Sequence, residues 1–288
     1  PPSILSDPNG THVWEWEDPR AVAKAVSIDL VLVHPNSRAG NYGPLSDLAA
    51  VETPVWAAML ATYVRIKGHS VAIIDAEAEQ LSPEDVAERV ATMGPLLACV
   101  VAYGHHPSAS TQVMPAAGET VRAIRDGSRA VMTMLLGGHV AALPARTLKE
   151  EAADIVCTGE GPSALDRFLR SIKEGDNPIR IHGGLTAPSP LVEDLDGEMP
   201  EPAWDLLPMH LYRAHNWHAL GGLDRAPYAS LYTSLGCPFS CSFCCIQAPF
   251  KSGEKLGQLG QAPVSANSYR RWSPARVGET LENLARLG

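Results

Sequence analysis

The sequence predicts an α/β protein built on a doubly wound parallel sheet. Two observations carry this. From Ile28 onward, short apolar runs alternate with longer helix-like segments, five times over. The segments that follow four of the apolar runs are polar or rich in glycine. They place a candidate binding rim at the carboxyl edge of the sheet, where such folds bind ligands.

Residues 28–33 form the first apolar run and read as a buried strand. Residues 53–67 read as a helix: Thr53 fits the N-cap, Pro54 the first helical position, and Gly68 follows the end. Val55, Met59, Leu60, Tyr63 and Ile66 share one face. Residues 70–75 form a second strand. Ser82 and Pro83 open a helix with Glu84 and Asp85 in its first turn, where negative charge is stabilised by the positive end of the helix dipole. Strands over 97–103 and 131–136 flank a helix over 111–126. A short helix over 144–152, a fifth strand over 154–158 and a helix over 162–173 complete the alternation. Such a series favours the flavodoxin-like (Rossmann-like) strand order 2-1-3-4-5.

Four domains or segments are expected: an irregular arm over 1–27, the α/β domain over 28–174, a Pro- and Gly-rich linker over 175–227, and a second domain over 228–288. In the arm, Trp14 and Trp16 are two apart, which suits an edge strand or a docking contact and reads as packing. The chain has 288 residues, is 45% hydrophobic and carries net charge −9, which gives no sign of nucleic-acid or anionic-membrane binding. No signal peptide or membrane-spanning run is legible, and six cysteines with three clustered do not read as a secreted disulfide framework. A cytoplasmic protein is expected.

The clustered cysteines are Cys237, Cys241 and Cys244, spaced C-x3-C-x2-C after a strand-like run over 228–235. Three thiolates in one loop can face a common point and suit an iron–sulfur cluster with one iron left open. The alternative is three buried or zinc-binding cysteines. Zinc favours four ligands from paired motifs, and no second C-x2-C pair is present. Cys245, next to Cys244, is expected to point away from the same centre and reads as packing, the alternative being a redox or substrate role. His210, His215 and His218 in the linker fit no standard metal spacing and read as packing too.

The motif, with Phe243 just before its last cysteine, resembles the radical S-adenosylmethionine (radical SAM) enzymes. The resemblance implies that Cys237, Cys241 and Cys244 hold a 4Fe–4S cluster. It also implies that SAM binds the open iron and that Phe243 contacts the adenine. The fold it implies for 228–288 is the start of a partial (β/α) barrel. A strand, a polar loop over 251–269 and a helix over 273–287 are legible there. Further βα units would be needed, so the chain is expected to be truncated and inactive alone.

A second resemblance rests on the rim. Gly137-Gly138-His139 after the fourth strand and Gly159-Glu160-Gly161 after the fifth are similar to the cobalamin-binding domain that precedes many radical SAM barrels. The resemblance implies cofactor contacts at Ser108, Gly137, Gly138, His139, Gly159, Glu160 and Gly161. The Asp-x-His-x-x-Gly motif that places a histidine on cobalt is absent: His34 lies in the right region, but Leu32 stands two residues before it. Cobalamin without a protein histidine ligand is therefore expected. His34, His105, His106 and His139 otherwise read as loop hydrogen-bonding groups.

Together the resemblances imply a cobalamin-dependent radical SAM enzyme using a 4Fe–4S cluster, SAM and cobalamin. It would methylate an unactivated carbon through a 5′-deoxyadenosyl radical and methylcobalamin. A small-molecule or peptide substrate and an electron donor such as flavodoxin or ferredoxin are the partners implied. The alternatives are a cyclase or rearrangement enzyme with the same cofactors, a non-catalytic cobalamin or cluster sensor, and a radical SAM enzyme whose α/β domain binds a nucleotide or a partner.

Overall fold

The computed structural model describes residues 3–6, 12–15, 28–104, 109–176, 184–186, 189–216, 224–239 and 268–287. Its centre is a five-stranded sheet of β3 (Leu30–His34), β4 (Val71–Asp75), β5 (Leu97–Ala102), β6 (Met132–Gly137) and β7 (Ile155–Val156). The order is β4-β3-β5-β6-β7, and every neighbouring pair is parallel, which is the predicted 2-1-3-4-5 order.

The helices cover both faces, and the strand alternation decides what each meets. Leu30, Leu32, Leu97, Cys99, Val101 and Met134 face α2 (Val55–Ile66) and α7 (Pro162–Lys173). Val31, Val33, Ala98, Val100 and Leu135 face α3 (Pro83–Met93) and α4 (Ser110–Gly127). These strands are buried on both sides, which explains their continuous apolar runs. A short α1 (Arg38–Tyr42) follows β3, and α5 (Gly138–Ala142) and α6 (Pro144–Glu150) link β6 to β7.

Two helix starts show how far local rules reach. At α3 the predicted cap is complete: Asp85 N–H donates to Ser82 Oγ, and Ser82 N–H donates back to Asp85 Oδ2. At α2 the prediction needs correcting. Pro54 occupies the N-cap, and no side chain caps that end. Thr53 Oγ1 instead accepts from Ser230 N–H at 3.2 Å and donates to the Ser230 carbonyl at 3.1 Å. A contact distant in sequence has outcompeted the local one.

The same contact accounts for a second correction. The run over 228–235 was read as one strand, but only β8 (Ser234–Leu235) is regular. Upstream, the Ser230 backbone spends its hydrogen bonds on Thr53 rather than on a ladder. β8 pairs antiparallel with β9 (Arg270–Arg271), which then leads into α9 (Pro274–Leu287), the last helix expected. The amino-terminal arm is not wholly irregular: β1 (Ser3–Ser6) and β2 (His12–Glu15) pair antiparallel, with Ile4 opposite Trp14. Trp16 lies outside the described residues.

The segment over 189–216 binds the outer side of α2 to the carboxyl-terminal part. It contains α8 (Leu195–Glu198). Trp204, Leu207 and Tyr212 pack with Val51, Ala58 and Ala78. Thr62 Oγ1 donates to the Glu201 carbonyl, and Asn283 Nδ2 on α9 donates to Glu201 Oε2. Trp272 Nε1 donates to the Met199 carbonyl at 2.7 Å. The bonds from Thr62 and Trp272 satisfy the Glu201 and Met199 backbone oxygens.

Candidate functional site

A cavity of about 300 Å3 opens at the carboxyl edge of the sheet. Its floor comes from His34 at the end of β3 and from Tyr103 and Gly104 just after β5. The first turn of α2 gives one wall. The opposite wall is Tyr228, Ser230, Leu231 and Tyr232, the stretch leading to β8 and Cys237. The carboxyl ends of β3 and β5 and the approach to the cysteine loop therefore share one space, while Gly137, Gly138, His139, Gly159, Glu160 and Gly161 do not line it.

Its electrostatics follow from burial. Tyr103 is 5% exposed, and its Oη has no hydrogen-bond partner among the described residues. Its ring lies 5.4 Å from that of Trp56, tilted by 52°. Burial first, and then the neighbouring Tyr232, Cys157 and Glu160, push the Tyr103 phenol well above its usual value. Burial and then Glu52 push Tyr232 up to about 12 and raise Tyr228 as well. All three tyrosines therefore stay protonated near neutral pH and can donate. Glu77 is held by the Ser37 N–H at 3.3 Å and the Ser37 Oγ at 3.2 Å. His215 Nδ1 accepts from Ala50 N–H at 3.2 Å, which leaves its Nε2 facing Glu52 Oε1 at 4.0 Å.

Behind the cavity lies a buried carboxylate. Asp75, at the end of β4, is 1% exposed; Tyr212 Oη donates to its Oδ2 at 2.8 Å, and Ala78 N–H donates to its Oδ1 at 3.1 Å. Burial raises the Asp75 carboxyl, against the pull of His34 and these two donors.

The predicted rim residues fall at neighbouring strand ends. Gly137 closes β6, where a Cβ would sit 2.4 Å from the Ala102 carbonyl oxygen. Only glycine permits that approach. Gly138 is buried at the start of α5. His139 N–H donates to Ser110 Oγ at 2.9 Å, and its Nδ1 lies 3.0 Å from Thr111 Oγ1, so the start of α5 is stitched to the start of α4. Burial, then Arg146, lowers the His139 imidazole, which keeps it neutral near neutral pH.

Gly159 takes a bond from the Cys157 thiol at 3.6 Å. Gly161 has φ +115, and a Cβ there would meet Leu136 Cδ1 at 2.4 Å. Glu160 turns to the carboxyl-terminal part and forms an ion pair with Arg270 at 2.9 Å, its carboxyl raised by burial against the pull of Arg270. Cys237 follows β8 and Gly236 as a half-buried thiol, and its N–H donates to Ser268 Oγ at 3.4 Å. Ser108, Cys241, Phe243, Cys244, Cys245, His105, His106 and His218 lie outside the described residues.

Sequence reasoning placed Tyr103 only as the end of a strand and missed the roles of Glu52, Thr53 and Arg270. The tyrosines at 228 and 232 were visible as an aromatic run, and that run was the one available signal. Nothing local marks the role of Arg270, whose partners Glu160 and Val192 lie 110 and 78 residues away.

Residues 45–169 match the B12 binding domain family. The uncharacterized methyltransferase PH0819 of Pyrococcus horikoshii is 30% identical over 201 residues, which is 66% of this chain and 40% of that protein. The anaerobic magnesium-protoporphyrin IX monomethyl ester cyclase of Rubrivivax gelatinosus is 26% identical over 234 residues, 75% of this chain and 38% of that protein. The chain thus spans about 40% of the length of these relatives. The fold is shared with the radical S-adenosylmethionine methyltransferase TsrM of Kitasatospora setae, solved with tryptophan and a SAM analog. The TM-score is 0.56 at 18% identity, covering 91% of this chain and 46% of that one. A second TsrM structure carries cobalamin and a [4Fe-4S] cluster. Among the described residues, no helix is long and apolar enough to cross a membrane.

Proposed function

We propose that this chain, which joins a B12-binding domain to the fold of a radical SAM methyltransferase, belongs to a cobalamin-dependent radical SAM enzyme that methylates an unactivated carbon. The observation that supports this reading most directly is the shared cavity. One wall is the carboxyl edge of the B12-binding domain, and the other is the approach to Cys237. A methyl carrier and a radical generator have to act on one substrate, so their sites must face each other across a short gap.

The residues present fit cobalamin. A corrin carries amide side chains around its rim, and these accept and donate hydrogen bonds. Tyr103 offers a buried hydroxyl with no partner among the described residues, and Gln112, Ser230 and Tyr228 add polar groups around the same space. Gly137 and Gly138 keep the backbone low at the end of β6. When bound, cobalamin would supply a transferable methyl group, and the cluster with SAM would supply the radical that removes a hydrogen atom. The chain's own part is to hold and orient. Trp56 and Tyr103 give an apolar floor with one polar handle, the protonated tyrosines donate, and Thr53 clamps Ser230 so that the two walls keep their spacing. Cys237, with Cys241 and Cys244, would hold the cluster, and Phe243 would lie beside SAM.

Product analysis on the complete protein, supplied with methyl-labelled SAM and a reductant, tests the reaction. Label in a product heavier by one methyl group supports methylation. A relative named as a cyclase favours a second reading, ring formation with the same cofactors. In that case the product would carry no label, and the methylation reading would fall. An electron donor and a small-molecule or peptide substrate are the partners this chemistry requires.

A further inference from the structure

We propose that Glu160 is a positioning residue whose buried ion pair with Arg270 ties the rim of the B12-binding domain to the first cysteine of the cluster loop. The proposal rests on reading Cys237 as a cluster ligand.

The connection can be followed atom by atom. Glu160 lies in the turn after β7, next to Gly161, whose φ of +115 and close approach to Leu136 leave no place for a side chain. The Glu160 side chain is 3% exposed, and the Arg270 side chain is 11% exposed. Oε1 lies 2.9 Å from one terminal nitrogen of Arg270, and Oε2 accepts from the other at 3.2 Å. One prong is a hydrogen bond, to Oε2, and the other is a charge contact at Oε1, so the guanidinium and the carboxylate face each other edge to edge. Oε2 also accepts from Val192 N–H at 3.1 Å, and Arg270 donates back to the Val192 carbonyl.

Arg270 carries the constraint onward. Its Nε donates to the Ser268 carbonyl at 3.1 Å. Ser268 is 1% exposed, and its Oγ accepts from Cys237 N–H. Leu235 pairs with Arg270 across β8 and β9, two residues before Cys237. Gly236 has φ +74, and a Cβ there would sit 2.2 Å from the Ser268 carbonyl oxygen. Only Arg270 and Ser268 stand between the Glu160 carboxylate and the Cys237 amide.

A buried ion pair adds little to stability over a well-packed apolar pair, so stability alone does not explain this one. Placement does: it fixes one domain's rim against the other domain's first ligand. Oε2 is engaged by Arg270 and Val192 and Oε1 lies against Arg270, so the carboxylate is turned toward β9, and Glu160 does not line the cavity.

The test uses the complete protein as expressed from its gene, reconstituted anaerobically with iron, sulfide and hydroxocobalamin. Wild type is compared with Glu160→Gln, Arg270→Lys and Ser268→Ala. The readouts are cobalamin affinity, iron retained under a chelator, and the electron paramagnetic resonance signal of the reduced cluster. In Glu160→Gln, cobalamin affinity stays within about twofold, the cluster signal changes shape, and resistance to the chelator falls roughly tenfold. Ser268→Ala leaves the ion pair intact and gives the same altered signal, which separates positioning from misfolding. Cobalamin affinity lost in Glu160→Gln with an unchanged cluster signal would overturn the proposal and return Glu160 to the cofactor. Unchanged behaviour in all three variants would overturn it too. Wild type that takes up no iron would instead sink the cysteine reading beneath it, and the proposal with it.

Discussion

Replacing Tyr103 with phenylalanine removes one oxygen and keeps the ring that packs against Trp56 at 5.4 Å. The hydroxyl is buried at the cavity wall, without a hydrogen-bond partner among the described residues. Left unsatisfied in a dry site, such a group costs about 1–3 kcal/mol. A cavity of about 300 Å3 has room for water, which returns much of that. Tyr103→Phe should therefore leave the cofactor-free protein as stable as wild type, or stabilise it by up to about 1 kcal/mol. Binding reverses the sign. A hydroxyl that donates to a cofactor amide is worth about 1 kcal/mol net, so the variant should bind cobalamin roughly fivefold more weakly. Because the phenol is held well above its usual value, that loss should be the same from mildly acid to mildly alkaline buffer. Urea unfolding of the cofactor-free protein gives the first quantity, and a spectrophotometric cobalamin titration gives the second. Unchanged affinity would refute the hydroxyl's role. So would destabilisation of the cofactor-free protein by more than about 1 kcal/mol, because the hydroxyl would then already be satisfied within the protein.

Three further expectations concern the frame around the site. Tyr212→Phe withdraws a donor from the buried Asp75 carboxylate and should cost about 2 kcal/mol at neutral pH by denaturant unfolding. Asp75 titrates higher in the folded state, so its contribution is fully present in acid and is lost as pH rises through the folded value. Losing a donor to the carboxylate raises that value further, so the penalty of Tyr212→Phe should grow with pH, and a penalty that grows in acid would contradict it. Gly137→Ala puts a Cβ against the Ala102 carbonyl and should cost roughly 1–3 kcal/mol in the same assay, with weaker cobalamin binding. Leu60→Ala, fully buried between α2 and the sheet, should cost about 2–5 kcal/mol while leaving cofactor affinity in the surviving folded protein near wild type.

The sheet was legible because its signals are local and repeated. Residues buried on both faces give unbroken apolar runs, and Ser82-Pro83 with Asp85 spells a helix start within four residues. Thr53 shows the limit: its local rule was sound, but Ser230, 177 residues on, offered the hydroxyl better partners. The cysteine spacing and the paired glycines pointed to cofactors, and the match over 45–169 agrees with the second of these. What the sequence could not carry was side-chain direction. Glu160 sits in a glycine-flanked rim motif yet turns away to Arg270, and Tyr103 looks like one more strand-end aromatic until the cavity appears beside it. Both depend on contacts between segments far apart in the chain, and no period or composition encodes those.

The central claim is that the protein holds both a cobalamin and an iron–sulfur cluster, and metal content tests it most directly. The complete protein, reconstituted anaerobically with iron, sulfide and hydroxocobalamin and then freed of unbound metal, should carry about four irons and about one cobalt per chain. Cys237→Ser should lose the iron and keep the cobalt. Iron without cobalt would contradict the cobalamin half of the account, and cobalt without iron would contradict the cluster half.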